Sequence, residues 1–308
     1  MNKTIGLVSR NSVGCTFAEW SVFWLSGQTE YFNVRQGKPA PLTDNPVRLH
    51  NSHNHHTNNP ESPFDIRRAI NILTQQSGLT SLYPSPGFNS NYQCSEIVEC
   101  FSEKNIPMLY MKLSKGYELF DHFIRYIPKS TISPLGFLVN NNESDPYKWR
   151  QKIILDNKFL SNPFGEELPV NHGLTVESKD FWYDTNTTMQ HVMSYFELSI
   201  QKDRLETWIP VAKQWVNGIM PLIEFVEAAE GIADSIANGD DKPLDLNTDQ
   251  QIVVQHILLF KHKLLLKNYE KFPNNATDVH LLLEPNTHKF NNEQLEYMHS
   301  IGFSSSSR

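Results

Sequence analysis

The stretch TIGLVSRNSVGCTFAEWSVFWLSG, residues 4 to 27, constrains the fold more than any other part of the chain. A short apolar run, a polar loop holding Gly14, and a segment dense in Phe17, Trp20, Val22, Phe23, Trp24 and Leu25 predict a buried strand, a tight loop and a helix. That helix is apolar on nearly every side, so other elements have to cover it. Gly27 marks its end. A strand followed through a glycine loop by a buried helix is the opening unit of an α/β sheet.

The residues downstream continue the alternation. Phe64, Ile66, Ile70 and Leu73 stand at helical spacing and Gly78 stops the run; GLTSLYPSPG gives a very short strand and a turn. Residues 93 to 104 predict a helix with Ile97, Val98 and Phe101 inward, IPMLYMKL (106 to 113) a second strand, and YELFDHFIRYI another helix. This order predicts an α/β fold, a parallel sheet flanked by helices with right-handed crossovers. Residues 36 to 63 are polar, Pro-rich and without periodicity, and read as a long loop. Residues 132 to 190 have isolated apolar pieces only, among them IILD ending at Asp156.

The last third is helical. Residues 203 to 239 repeat apolar positions at three and four and predict two or three helices, with a kink or break near Pro210 and Pro221. A further helix is expected from a cap at Asn247 or Thr248 to just before Pro273, then a strand in HLLLEPN and a helix in NNEQLEYMHSI. The division expected is a nucleotide-binding-like α/β half over 1–130. An irregular middle segment and a helical C-terminal half follow over 131–308, and the expectation is one continuous domain. Two apolar stripes after residue 203 exceed the needs of one core and leave a homo-oligomer open.

Composition narrows the function classes. Of 308 residues 39% are hydrophobic and 11% aromatic, enough for a sizeable core. The formal net charge of -7, with charges interspersed, argues against a nucleic-acid partner, which asks for a concentrated basic face. No apolar run approaches the roughly 18 residues of a membrane span, and TIGLV is too short for a signal-peptide core. Cys15, Cys94 and Cys100 are odd in number and lack zinc-ligand spacing, so reduced thiols and a cytoplasmic location are expected.

The chemistry rests on the loop. Set against G-x-x-x-x-G-K-[ST], SRNSVGCT keeps the spacing: Gly14 falls on the second glycine, Cys15 on the lysine and Thr16 on the hydroxyl. The first glycine and the lysine are missing. Backbone N–H groups at a helix N-terminus still suit an anion, but no ammonium offsets the β- and γ-phosphate charge, which disfavours ordinary ATP hydrolysis. The same segment resembles the phosphosulfate loop of sulfotransferases, strand then [KR]-[ST]-G-[ST]-T and an aromatic or leucine, through Ser12, Val13, Gly14, Cys15, Thr16 and Phe17. IPMLYMKLSKGYELFDHFIRY has the layout of that family's later strand, turn and helix, which hold the nucleotide's 3′-phosphate.

What the resemblance implies is a P-loop-like parallel sheet. The donor would be 3′-phosphoadenosine 5′-phosphosulfate (PAPS), held at Arg10, Ser12, Val13, Gly14, Cys15 and Thr16, with Lys112, Ser114 and Lys115 on the 3′-phosphate and Arg125 farther along. The chain departs from the family at Ser12, where a basic residue is usual unless Arg10 bends back, at Lys112, where arginine is usual, and at Phe120, where serine is. The acceptor would be a small molecule or a glycan, and no metal is expected. HNSHNHH supplies His50, His53, His55 and His56 within seven residues; His53 and His55 are the candidate bases for the acceptor proton. Two rivals stand beside this reading. One is a divergent kinase or NTP-binding protein, with Asp156 as its only metal-holding candidate; the other is an interaction protein of the same fold that has lost catalysis.

Overall fold

The protein was analysed as a computed structural model, which describes residues 3–9, 14–34, 36–44, 66–83, 94–112, 114, 173–262, 264–266 and 272–285. The chain divides into two compact units, Met1–Lys115 with Glu166–Val216, and Gly116–Gly165 with Asn217–Arg308.

The first unit is built on a parallel sheet. Its strands are β1 (Lys3–Ser9), β4 (Leu79–Leu82), β5 (Met108–Lys112) and β6 (Leu174–Glu177), in the order β4-β1-β5-β6. Every pairing is parallel: Lys3 opposite Leu79, Gly6 opposite Met108 and Leu109 opposite Leu174 set the three registers. A separate antiparallel ladder joins β2 (Glu30–Asn33) and β3 (Lys38–Pro41). The sequence places residues 38–41 in a long loop, so β3 is a correction. Its Pro39 and Pro41 are tolerated because a two-stranded ladder leaves each strand a free edge.

Helices cover both faces of the sheet. Alternation along β1, β4 and β5 puts Val8, Leu82 and Met108 on one face, where they pack with Ile66, Ile70, Leu73, Ile97 and Phe101. The helices on that face are α2 (Ile66–Leu73) and α3 (Cys94–Ser102), as the apolar spacing predicts. Gly6 explains itself here. A Cβ at that position would lie 2.8 Å from the Phe101 ring, so the strand glycine marks the close approach of α3.

The opposite face receives α1 (Cys15–Leu25), whose buried residues run round the whole helix, polar Glu19 and Ser21 included. Glu19 reaches the sheet and accepts a hydrogen bond from Ser81 Oγ on β4. The outer side of α1 is covered from α4 (Ser178–Tyr183) and from the start of α6 (Lys202–Asn238), with α5 (Thr185–Tyr195) also against it. Phe17 stacks on Trp215 with centroids 4.4 Å apart and planes 5° off parallel, and Phe181 and Trp208 close the cluster at 6.2 and 6.3 Å. Trp208 Nε1 donates to Ser21 Oγ, which satisfies two polar groups inside this apolar layer.

Helix α6 runs without interruption through Pro210 and Pro221, where the sequence predicts a kink or break into separate helices. Each proline removes one backbone hydrogen bond, to Glu206 and Asn217 respectively, at a cost near 3 kcal/mol. Both prolines are exposed, so water can take the freed carbonyls, and burial along the inner stripe outweighs the loss. That stripe is Trp208, Ala212 and Trp215 in the first unit, and Ile219, Ile223, Val226, Ala229, Ala233 and Ile236 in the second.

The second unit adds α7 (Thr248–Phe260), β7 (Leu264–Leu266), α8 (Ala276–Leu281) and β8 (Leu283–Pro285). Asn247 caps α7 in a reciprocal pair with Gln250, one of the two caps the sequence allows. The helix stops at Phe260 rather than running to Pro273, because Leu264–Leu266 pairs antiparallel with Leu283–Pro285. A three-leucine run is ambiguous in period, and its partner decided it. Lys261 at the end of α7 reaches Glu230 Oε1 at 2.7 Å and Asp234 Oδ2 at 3.0 Å on α6, and His262 Nε2 lies 2.8 Å from Asp234 Oδ1. Among the described residues no helix is long and apolar enough to cross a membrane.

Two outcomes follow from this packing. Gly6→Ala will destabilise the first unit by about 1–3 kcal/mol in urea unfolding, and combining it with Phe101→Leu will recover part of the loss. In the second unit, burial pushes the Asp234 carboxyl up, but hydrogen bonds from Lys261 and His262 outweigh it and hold the group below its ordinary value. A carboxyl lowered in the folded state stabilises at neutral pH, and the contribution is lost as pH falls through the lowered value. Asp234→Asn will therefore cost about 1 kcal/mol or less at neutral pH, since solvent screens the interaction, and the difference from wild type will vanish as pH falls below the ordinary carboxylate range.

Candidate functional site

The sheet order sets where a ligand can sit. From β1 the chain passes to β4 on one side, then returns to β5 on the other, so β1 and β5 are neighbours although β4 lies between them in sequence. At such a switch point the connections leave the two strands in opposite directions and a crevice opens outside their carboxyl ends. α1 follows β1 there, opening at Gly14, and Ser114 follows β5. These are the two segments that carry the sequence-predicted contacts.

Gly14 is the N-cap of α1, with φ +97° and ψ 12°, in the left-handed region that suits glycine. Its carbonyl accepts from Ala18 N–H at 2.9 Å, so it already belongs to the helix. A Cβ on Gly14 would meet Trp215 Cη2 and Cζ2 at 2.8 Å and Phe181 Cε1 at 2.9 Å. The glycine thus has two local reasons, its backbone angle and the aromatic rings against it. Cys15, in the position of the usual lysine, is buried in the core and in no disulfide, and what it offers an anion is its main chain. Thr16 is half-buried.

Lys112 ends β5. Alternation places it on the sheet face of Met108 and Tyr110, and its register partner on β6 is Glu177. It is half-buried, and its ammonium has no ion-pair partner among the described residues. The contrast with Lys3, at the amino end of β1, is informative. The Lys3 side chain is 16% exposed and its Nζ is held 3.1 Å from Glu197 Oε2. Partial desolvation penalises a lone charge, so a half-buried lysine commonly recruits a carboxylate; among the described residues none lies within ion-pair distance of Lys112, Glu177 in register included. Arg67, at the start of α2, donates to Glu103 through Nε and Nη2. Those bonds hold the Glu103 carboxyl below its ordinary value.

Ser114 is buried, and the second helix end at this edge engages it. Its N–H donates to Ser178 Oγ at 3.0 Å, and its Oγ accepts from Lys179 N–H at 2.9 Å. The sequence pattern does not mark Ser178 or Phe181, and it marks Trp215 only as core packing at helical spacing. Ser178 opens a six-residue helix inside a stretch without clear period, and the one available signal is the run of three aromatics in KDFWYD. The buried Glu19–Ser81 contact was missed for the same reason: neither residue stands out locally.

Gly14, Cys15, Thr16, Lys112 and Ser114 of the predicted set are therefore located, on the carboxyl side of two adjacent strands. Arg10, Ser12, Val13 and Lys115, the candidate bases His53 and His55 with His50 and His56, and Arg125, Phe120 and Asp156 lie outside the described residues. His262 Nε2 lies 2.8 Å from Asp234 Oδ1 and His280 Nδ1 2.9 Å from the Ile236 carbonyl oxygen, all in the second unit.

Gly14→Ala tests the local account of the loop. It will lower stability by about 1–3 kcal/mol, from the unfavourable φ together with the ring contacts, and Trp215→Leu in the same chain will recover only the contact part. No protein-family model matches the chain, and no curated protein matches it.

Proposed function

We propose that the carboxyl edge of β1, β5 and β6 binds the phosphates of a nucleotide, and that the protein is a sulfotransferase-like enzyme. It would move a sulfuryl group from PAPS to a hydroxyl or amine acceptor, a small molecule or a glycan. The observation that carries this reading is Lys112: a half-buried lysine with no ion-pair partner among the described residues, at the end of the strand paired with β1, after which α1 opens at Gly14. An anion arriving there meets a positive charge already partly stripped of water, and the positive end of a helix dipole nearby.

The roles follow from the residues. Main-chain N–H groups about the start of α1 hold the 5′-phosphosulfate, and Lys112, with Ser114 and Lys115, holds the 3′-phosphate. The acceptor oxygen or nitrogen attacks sulfur in line as the bond from sulfur to the phosphate oxygen breaks, and the nucleotide leaves as 3′-phosphoadenosine 5′-phosphate. His53 or His55 takes the acceptor's proton. Positioning and charge stabilisation do most of the work in such a transfer.

A specific observation favours a second reading. Trp215 and Phe181 already fill the space against Gly14, as expected of an interaction protein that kept the fold and gave up the ligand. Titration calorimetry separates the two. The first reading expects micromolar binding of 3′-phosphoadenosine 5′-phosphate, weakened about tenfold or more by Lys112→Ala through loss of a charged contact. Gly14→Trp will abolish it. Preference for ATP with Mg²⁺ transfers the proposal to a kinase-like protein, and silence toward both nucleotides favours the interaction protein.

A further inference from the structure

Helix α4 is short, yet it touches both segments of the candidate site. Phe181 lies with its ring edge against Gly14, after β1. Ser178 and Lys179 hold Ser114, after β5, and the contact is reciprocal. Ser178 Oγ accepts from Ser114 N–H at 3.0 Å and donates to Ser114 Oγ at 3.4 Å, while Lys179 N–H donates to the same oxygen at 2.9 Å. Both serines are buried, so water competes poorly for these bonds. The Ser114 oxygen accepts twice and keeps its own proton for a further acceptor. Two residues back along β5 stands Lys112, in register with Glu177, the residue before Ser178.

We infer that Ser178 is a positioning residue of the site, an inference that rests on reading this edge as a phosphate-binding one. Ser178 does not touch the ligand. It pins the turn after β5 to the start of α4 and so fixes where Lys112 and Ser114 present their charge and proton. Through Phe181 the same helix is seated against Gly14, which holds Gly14 and Ser114 at a constant spacing. The ligand this suits carries phosphate groups at two separated positions, since a single phosphate would need only one of the segments.

The test uses the full chain with Ser178→Ala. Amide hydrogen exchange at Ser114 and Lys179 will speed up about tenfold, the loss expected for a buried hydrogen bond, while the β1–β5 ladder keeps its protection. Binding of 3′-phosphoadenosine 5′-phosphate will weaken by a similar factor, adenosine 5′-phosphate will show little change, and the loss will disappear when Lys112→Ala is already present. If the Ala variant does not fold, Ser178→Cys, with the same shape and a weaker acceptor, carries the comparison. Unchanged exchange at Ser114 overturns the inference whether or not a ligand binds, and so does faster exchange with unaltered affinity. An intact wild-type chain that binds neither nucleotide overturns instead the reading of the edge, and with it any positioning role.

Discussion

The burial of α1 is the constraint on which the first unit depends. Its apolar residues face every direction, so the sheet alone cannot satisfy it, and α4, α5 and the start of α6 are drawn in to cover the remainder. Phe17 stands at the centre of that cover, stacked on Trp215 and flanked by Trp20, Phe181 and Trp208. Each of these rings removes a large apolar area from water, on the scale of 3–5 kcal/mol for truncation to alanine. The polar groups carried into the layer are matched in place: Ser21 by Trp208, Glu19 by Ser81.

The same packing reaches the candidate site. A helix held this firmly keeps its N-terminus fixed, and the edges of Trp215 and Phe181 press on Gly14 itself. Rigidity at this end has two faces. It presents main-chain donors without a loss of conformational entropy on binding, which favours an anion. It also narrows the room beside the loop, which is why the aromatic rings weigh on the interaction-protein side. On the other side stands Lys112, half-buried and without an ion-pair partner among the described residues, an arrangement an anion would relieve.

Charge elsewhere in the described residues behaves as ordinary structure. Lys3 pairs with Glu197, Arg67 with Glu103, and Lys261 with Glu230 and Asp234. Lys261 is the instructive case: burial alone pushes its ammonium down, yet the two carboxylates outweigh that and hold it above its ordinary value. Each of these pairs ties together segments distant in sequence, whereas Lys112 makes no ion pair among the described residues.

The strands β1, β4 and β5 and the helices α1, α2 and α3 were legible in the sequence because each carries its own period and its own stop. Ile66, Ile70 and Leu73, or Ile97, Val98 and Phe101, point one way by spacing alone, and Asn247 announced a cap. Legible too was the glycine loop between a strand and a buried helix. What the local pattern does not carry is partnership. The long α6 persists through Pro210 and Pro221 because tertiary burial exceeds the cost of two lost hydrogen bonds, and Leu264–Leu266 is a strand because β8 lies beside it. The candidate site divides in the same manner. Residue types and their order marked Gly14, Lys112 and Ser114 as contacts. Only the strand order made their segments neighbours, and only the fold supplied Ser178, Phe181 and Trp215 from some 60 to 200 residues away. Spacing along a chain encodes which face a residue turns outward; what that face meets depends on how the sheet is threaded, and threading is a property of the whole unit.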